Sequence, residues 1–121
     1  VARTSMLRAK FMECLAPVFG LGMKSAEVFL MGLFSILNII LNMPMEDALK
    51  MVTVSKEIED ALVRGTGDLA GIYSFVVNYE AADWQEISRH LIVLNVDTNT
   101  IYQAYTETVC WYKEMFFETS V

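Results

Sequence analysis

The sequence predicts an all-α domain, a compact bundle of about seven helices around a central apolar helix over about residues 25–42. Apolar residues recur at helical spacings of three and four along most of the chain. Prolines are only Pro17 and Pro44, and the glycines fall mainly between the periodic stretches. No stretch alternates apolar and polar residues in the manner of a strand. With 121 residues, the span 1–121 reads as one helical domain with a core of its own.

The first helix is expected from about Thr4 to Phe19, with Leu7, Phe11, Cys14, Leu15 and Val18 on one stripe and Gly20 and Gly22 closing it. The second should run from about Ser25, as N-cap, to Asn42, and is apolar on nearly every face. Its apolar run Val28–Leu41 is 14 residues, short of the roughly 20 a bilayer needs. Gly32, Ser35 and Asn38 also interrupt it, so a core helix covered on all sides is expected and a membrane-associated bundle is the weaker reading. Pro44, Glu46 and Asp47 start a short helix to about Met51. Ser55 caps another to about Arg64, with Ile58, Ala61 and Leu62 inward. Gly65-Thr66-Gly67 is punctuation: no strand precedes it and no GK[ST] follows, so it is not a phosphate loop. Asp68 is expected to cap the next helix, whose stripe is Leu69, Ile72, Val76 and Tyr79. Asp83 with Glu86 resembles a capping box, followed by Trp84, Ile87, Leu91 and Leu94. Asp97 or Thr98 opens the last helix, which reaches about Phe117 with an inner stripe of Ile101, Tyr105, Thr108, Tyr112 and Met115.

Fifteen acidic against nine basic residues give a net charge of −6. Such a surface repels phosphate backbones, and the one basic concentration, Arg3, Arg8 and Lys10, is too small for a groove, so no nucleic-acid partner is expected. Cys14 and Cys110 form no CxxC or Cys/His cluster and read as small core residues of a reducing compartment. No signal peptide is visible, and a chain starting at Val1 rather than Met points to a piece of a longer, cytoplasmic protein.

Candidate chemistry is sparse. The single histidine, His90, supports neither a triad nor a multi-histidine metal site. Ser35 and Ser74 have no neighbouring base in sequence. Two carboxylate groups, Glu57, Glu59 and Asp60, and Glu80 with Asp83, have the residue type for acid–base work or a hard cation, but fall on polar faces and helix starts. No cofactor or metal is expected. The apolar fraction is 55%, above the usual level of about 45–50%. One helix face cannot hold Tyr102, Tyr105, Trp111, Tyr112, Phe116 and Phe117 together. Tyr102, Trp111, Phe116 and Phe117 are therefore the candidate interaction surface, for a protein partner or another part of the same protein.

At the second helix, Phe29-Leu30-Met31-Gly32-Leu33-Phe34-Ser35-Ile36-Leu37-Asn38 resembles the "FLxGLLHDIG" segment of HD-superfamily domains, and more closely that of their HDOD output-domain subgroup. The stretches Arg8–Ala16, Met43–Leu49 and Val54–Trp84 resemble other segments of HDOD modules that follow an EAL domain, so the resemblance covers about residues 5 to 90. It implies an HD-like helical fold and the C-terminal part of an HDOD module in a bacterial cyclic di-GMP signalling protein. In catalytic relatives the His-Asp pair of this segment ligates a metal. Ser35 stands at the position of that His and Ile36 at that of the Asp, neither of which can take over the role. The resemblance thus implies a non-catalytic regulatory or protein-binding domain, and a homodimer that covers the surfaces meant for the earlier helices of the module. The alternative is a divergent metal-dependent phosphohydrolase built on carboxylates such as Glu57, Asp60, Glu80 and Asp83.

Overall fold

The computed structural model describes residues 2–116, and among these every regular element is helical. Helix α1 spans Ala2–Leu15. Helix α2, Ser25–Phe34, follows a short 3₁₀ turn at Gly22–Lys24. Then come α3 (Leu37–Ile40), α4 (Met45–Leu49) and α5 (Lys56–Glu59), which runs on into a π-helical turn at Asp60–Arg64. Helices α6 (Ala70–Glu80), α7 (Trp84–Leu94) and α8 (Thr98–Phe116) complete the bundle. With α2 and α3 counted as one broken element, the described residues form seven helices, in line with the expected all-α bundle of about seven.

Several boundaries follow from capping chemistry. Ser55 accepts the amide of Ile58 at 3.3 Å, and Asp83 accepts that of Glu86 at 3.3 Å. Asp97 accepts the amide and the hydroxyl of Thr100 at 2.9 and 3.0 Å, and these bonds hold its carboxyl below the usual range. Gly65 ends the π-helical turn in the left-handed region at φ 68°.

Other expectations are corrected. Helix α1 stops at Leu15, not Phe19, because Pro17 has no amide to continue the ladder. Ala16 to Gly20 instead form turns, closed by Leu21 N–H to the Ala16 carbonyl at 2.7 Å. Ser25 is the first residue of α2 rather than its cap, which falls on Lys24 with no side-chain bond. Asp68 caps nothing: the N-cap of α6 is Leu69, and the Asp68 carboxylate lies 3.8 Å from the Lys24 ammonium.

The core gathers Met12, Leu15, Val28, Met31, Ile58, Leu69, Ile72, Phe75 and Val76, all fully buried. Full burial of each such side chain contributes about 1.5–3 kcal/mol. Helix α1 packs against α2, α6 and α8. On α8, Ile101 and Thr108 of the expected stripe are buried together with Ala104, whereas Tyr105 and Met115, expected on the same face, are exposed. Cys110 is exposed and Cys14 only half-buried, so the expected pair of core cysteines is not present. Trp84, placed on an inward stripe, is 63% exposed.

The apolar stretch 25–42 is neither continuous nor covered on all sides. It breaks at Ser35–Ile36, and Leu30, Ile39 and Ile40 are exposed. By length and composition the run Gly22–Ile40 would suffice to cross a bilayer. In the bundle its α2 part is pressed onto α1, with Val28, Met31 and Gly32 buried.

Candidate functional site

The break in the second helix is where the polar chemistry of the interior collects. Its cause starts with Gly32. A Cβ there would lie 2.5 Å from the Ala9 Cα and 3.0 Å from the Ala9 nitrogen, so only glycine lets α1 and α2 approach this closely. At this separation α1 side chains reach the end of α2. Helix α2 ends at Phe34, which deprives its last carbonyls of helical partners. The Ser35 amide still reaches the Gly32 carbonyl at 3.4 Å, and two serine hydroxyls add to it. The Ser35 hydroxyl donates to the Gly32 carbonyl at 2.7 Å, and the Ser5 hydroxyl of α1 donates to the Leu33 carbonyl at 2.9 Å.

The Ser35 oxygen also accepts from Arg8 Nη1 at 2.8 Å. The other edge of the same guanidinium grips Glu80 at the end of α6. Nε donates to Oε2 at 2.9 Å, and Nη2 donates to Oε1 in a salt bridge. One arginine therefore ties α1, the α2 break and α6 together. The Arg8 side chain is 13% exposed and that of Glu80 35%. Burial alone would lower the Arg8 pKa, but the hydrogen bond and charge of Glu80 outweigh it and raise the pKa. Ile36 is buried and apolar beside this network.

This arrangement braces and offers no proton to move. The Ser35 proton is engaged by a carbonyl, and its lone pair faces a cation rather than a base. An arginine does not deprotonate in this setting. His90 lies elsewhere, with Nδ1 3.0 Å from the Glu86 carbonyl and its ring edge-on to Phe75 at 5.6 Å. Burial pushes the Cys14 thiol up, and the nearby Thr108 hydroxyl only partly opposes this.

The carboxylates picked out in the sequence are dispersed among other partners. Glu57 pairs with Lys24 at 2.7 Å. Glu59 and Asp60 pair with Arg64 at 3.2 and 2.8 Å. Glu80 holds Arg8, and Asp83 caps α7. Among the described residues, no three of His, Cys, Asp or Glu converge as metal ligands would.

The candidate interaction residues of α8 are spread around the helix. Tyr102 is 64% exposed. Trp111, nine residues on, is turned about half a circle from it at 3.6 residues per turn. It is half-buried, edge-on to Phe29 at 6.4 Å and under the Lys10 ammonium at 5.4 Å. Phe116 is exposed and packs on Tyr112 at 4.7 Å and Trp111 at 6.4 Å. Phe117 lies outside the described residues.

Sequence reading missed the role of Arg8, counting it only among the basic residues near the N-terminus. A signal was present: Arg8 shares a helical face with Phe11 three residues on, an unusual place for a cation. Beside the Arg8–Glu80 pair runs a groove of about 360 Å³ between α1, the end of α6 and α8.

Across 111 residues, the chain is 25% identical to the cyclic di-GMP phosphodiesterase CdgJ of Vibrio cholerae serotype O1 (strain ATCC 39315 / El Tor Inaba N16961). The match covers 92% of this chain but 26% of that relative, so the chain spans about a quarter of its length. No family model matches, and no solved structure matches. The similarity relates the chain distantly to a cyclic di-GMP signalling protein.

Proposed function

We propose that this chain is the C-terminal part of an HDOD module, a non-catalytic regulatory and protein-interaction domain of a cytoplasmic bacterial protein of cyclic di-GMP signalling. The observation that carries the reading is the Ser35–Arg8 bond. At the two positions resembling a metal-ligating His-Asp pair stand a buried isoleucine and a serine whose hydroxyl is engaged by an arginine cation. A divalent metal there would meet a resident positive charge and one neutral oxygen. The relative is named as a phosphodiesterase, which keeps a carboxylate-based phosphohydrolase as the alternative. Ion pairs already engage Glu57, Asp60 and Glu80, and that favours the regulatory reading.

The test is to incubate the chain with cyclic di-GMP and with simple phosphodiesters in Mn²⁺ or Mg²⁺. No turnover is expected. Metal-dependent hydrolysis that disappears in Asp60→Asn or Glu80→Gln would overturn the reading. Self-association belongs to the same proposal, because Ile39, Ile40, Ile92 and Val93 are exposed apolar residues that a second copy would cover. Light scattering at high concentration is expected to give a dimer, and a monomer would count against it.

A further inference from the structure

Three helical surfaces expose apolar residues to a second copy of the chain, and they differ in charge. On α7, Ile92 and Val93 are exposed, but Arg89, three residues before one and four before the other, lies between them with its side chain in solvent. On α8, the exposed Tyr102 and Phe116 share the surface with Glu107, Lys113 and Glu114, which are exposed as well. The third surface belongs to α2 and α3. Between Glu27 and Glu46 the chain has no charged residue. Helix α2 buries Val28, Met31 and Gly32 and packs mainly on α1. On its opposite side Ala26, Leu30 and Leu33 line up at spacings of four and three. Leu30 is 42% exposed there. Beyond the break, Ile39 and Ile40 of α3 are 64% and 55% exposed. Most of this apolar run is therefore left uncovered by the chain itself.

A twofold-symmetric contact sets a surface against itself. Residues near the axis meet their own copies, so a charge there faces a like charge. In a chain of net charge −6 most such encounters set carboxylate against carboxylate. The outer face of α2 and α3 escapes this penalty, whereas the α7 and α8 surfaces do not. We propose that two copies of the chain pair through this face, covering Leu30 and Ile40 of each. The proposal rests on the self-association in the reading above and names which of the exposed residues the second copy covers. It also gives the apolar run two neighbours, α1 on its inner side and the same run of the partner on its outer side.

The test is sedimentation equilibrium of the parent chain, Leu30→Lys, Ile40→Lys and Ile92→Lys, with circular dichroism confirming that each variant keeps its helices. The parent is expected as a dimer. Leu30→Lys and Ile40→Lys should each raise its dissociation constant about a hundredfold or more, because the twofold axis loses the apolar contact twice and brings two like charges together. Ile40 is the more exposed of the two, so its variant stays readable if Leu30→Lys unfolds. Ile92→Lys, the same change on α7, should leave the dimer intact. A folded Ile40→Lys that dimerises as the parent does would overturn the proposal. So would a parent dimer that only Ile92→Lys splits, which would move the contact to α7 and leave self-association standing. A monomeric parent would overturn both. Binding of the parent to phosphatidylcholine vesicles, lost in Ile40→Lys, would assign the face to a lipid surface and also overturn the proposal. The phosphodiester assay reads none of these outcomes, and turnover there would sink the non-catalytic reading without touching the dimer.

Discussion

Helix α1 is held on its two sides by opposite means. Against α2 the contact is made by backbone: Gly32 sits on Ala9, and Ser5 and Arg8 complete the open end of α2 with hydrogen bonds. Against α8 the contact is made by side chains: Phe11 on Tyr105, Arg3 on Tyr112, Lys10 on Trp111 and Cys14 near Thr108. The first side is a lock with few parts, each dependent on the others. The second is a broad surface of separable contacts. Close-packed interfaces fail at one atom, whereas aromatic surfaces lose stability by increments.

The largest effect should come from the lock. Gly32→Val places a methyl-bearing Cβ against the Ala9 backbone and should cost about 3 kcal/mol or more. That is a fall of roughly 10 °C in Tm for a domain of this size, read by circular dichroism. An unchanged Tm would break the contrast between the two sides. Arg8→Met comes next. It leaves the Ser35 oxygen and Glu80 without their donor and should cost about 2 kcal/mol, a figure held down because Glu80 reaches solvent. On the other side, Lys10→Met removes a single cation–π contact and an exposed ion pair with Glu13, and should cost under about 1 kcal/mol. If Lys10→Met cost more than Arg8→Met, the two sides would have been assigned the wrong way round.

Two finer effects sharpen the picture of the second side. Burial and the neighbouring Tyr105 push the Tyr79 hydroxyl up. The neutral phenol is thus favoured in the folded chain. Its contribution is complete below the ordinary tyrosine value of about 10 and is lost as pH rises through the raised one. The decline in denaturant midpoint above that pH should be shallower in Tyr79→Phe than in the parent chain. The smallest effect concerns thiol reactivity. At mildly alkaline pH exposed Cys110 should be alkylated before Cys14, which is half-buried and has a raised pKa. Mass spectrometry of partly labelled protein reads the order, and the reverse order would show α1 and α8 parting there.

What was legible in the sequence had local causes. The caps at Ser55 and Asp83 and the turn at Gly65 are set by residues within a few positions, so periodicity and capping rules place them. The break at Ser35 was not legible. Its hydroxyl answers to Gly32 three residues back but also to Arg8, 27 residues away, and Arg8 answers to Glu80, 72 residues away. The Ser35-Ile36 pair was visible as a departure from a metal-binding pattern, but not as the receiver of an arginine. Glu80 was grouped with Asp83 by proximity in sequence, while in the fold it serves α1. The stripe expected for α8 held the buried Ile101 and Thr108 but also took in the exposed Tyr105 and Met115 and passed over Ala104, because its many aromatics are apolar on several sides.

The central claim is that Arg8 braces α1, the break after α2 and the end of α6 through Ser35 and Glu80. A double-mutant cycle on unfolding free energy with Arg8→Met, Glu80→Gln and the double variant tests it most directly. Bracing predicts a coupling of about 1 kcal/mol or more, above the few tenths typical of exposed ion pairs. Effects that add to within about 0.3 kcal/mol would show Arg8 and Glu80 acting independently and would contradict it.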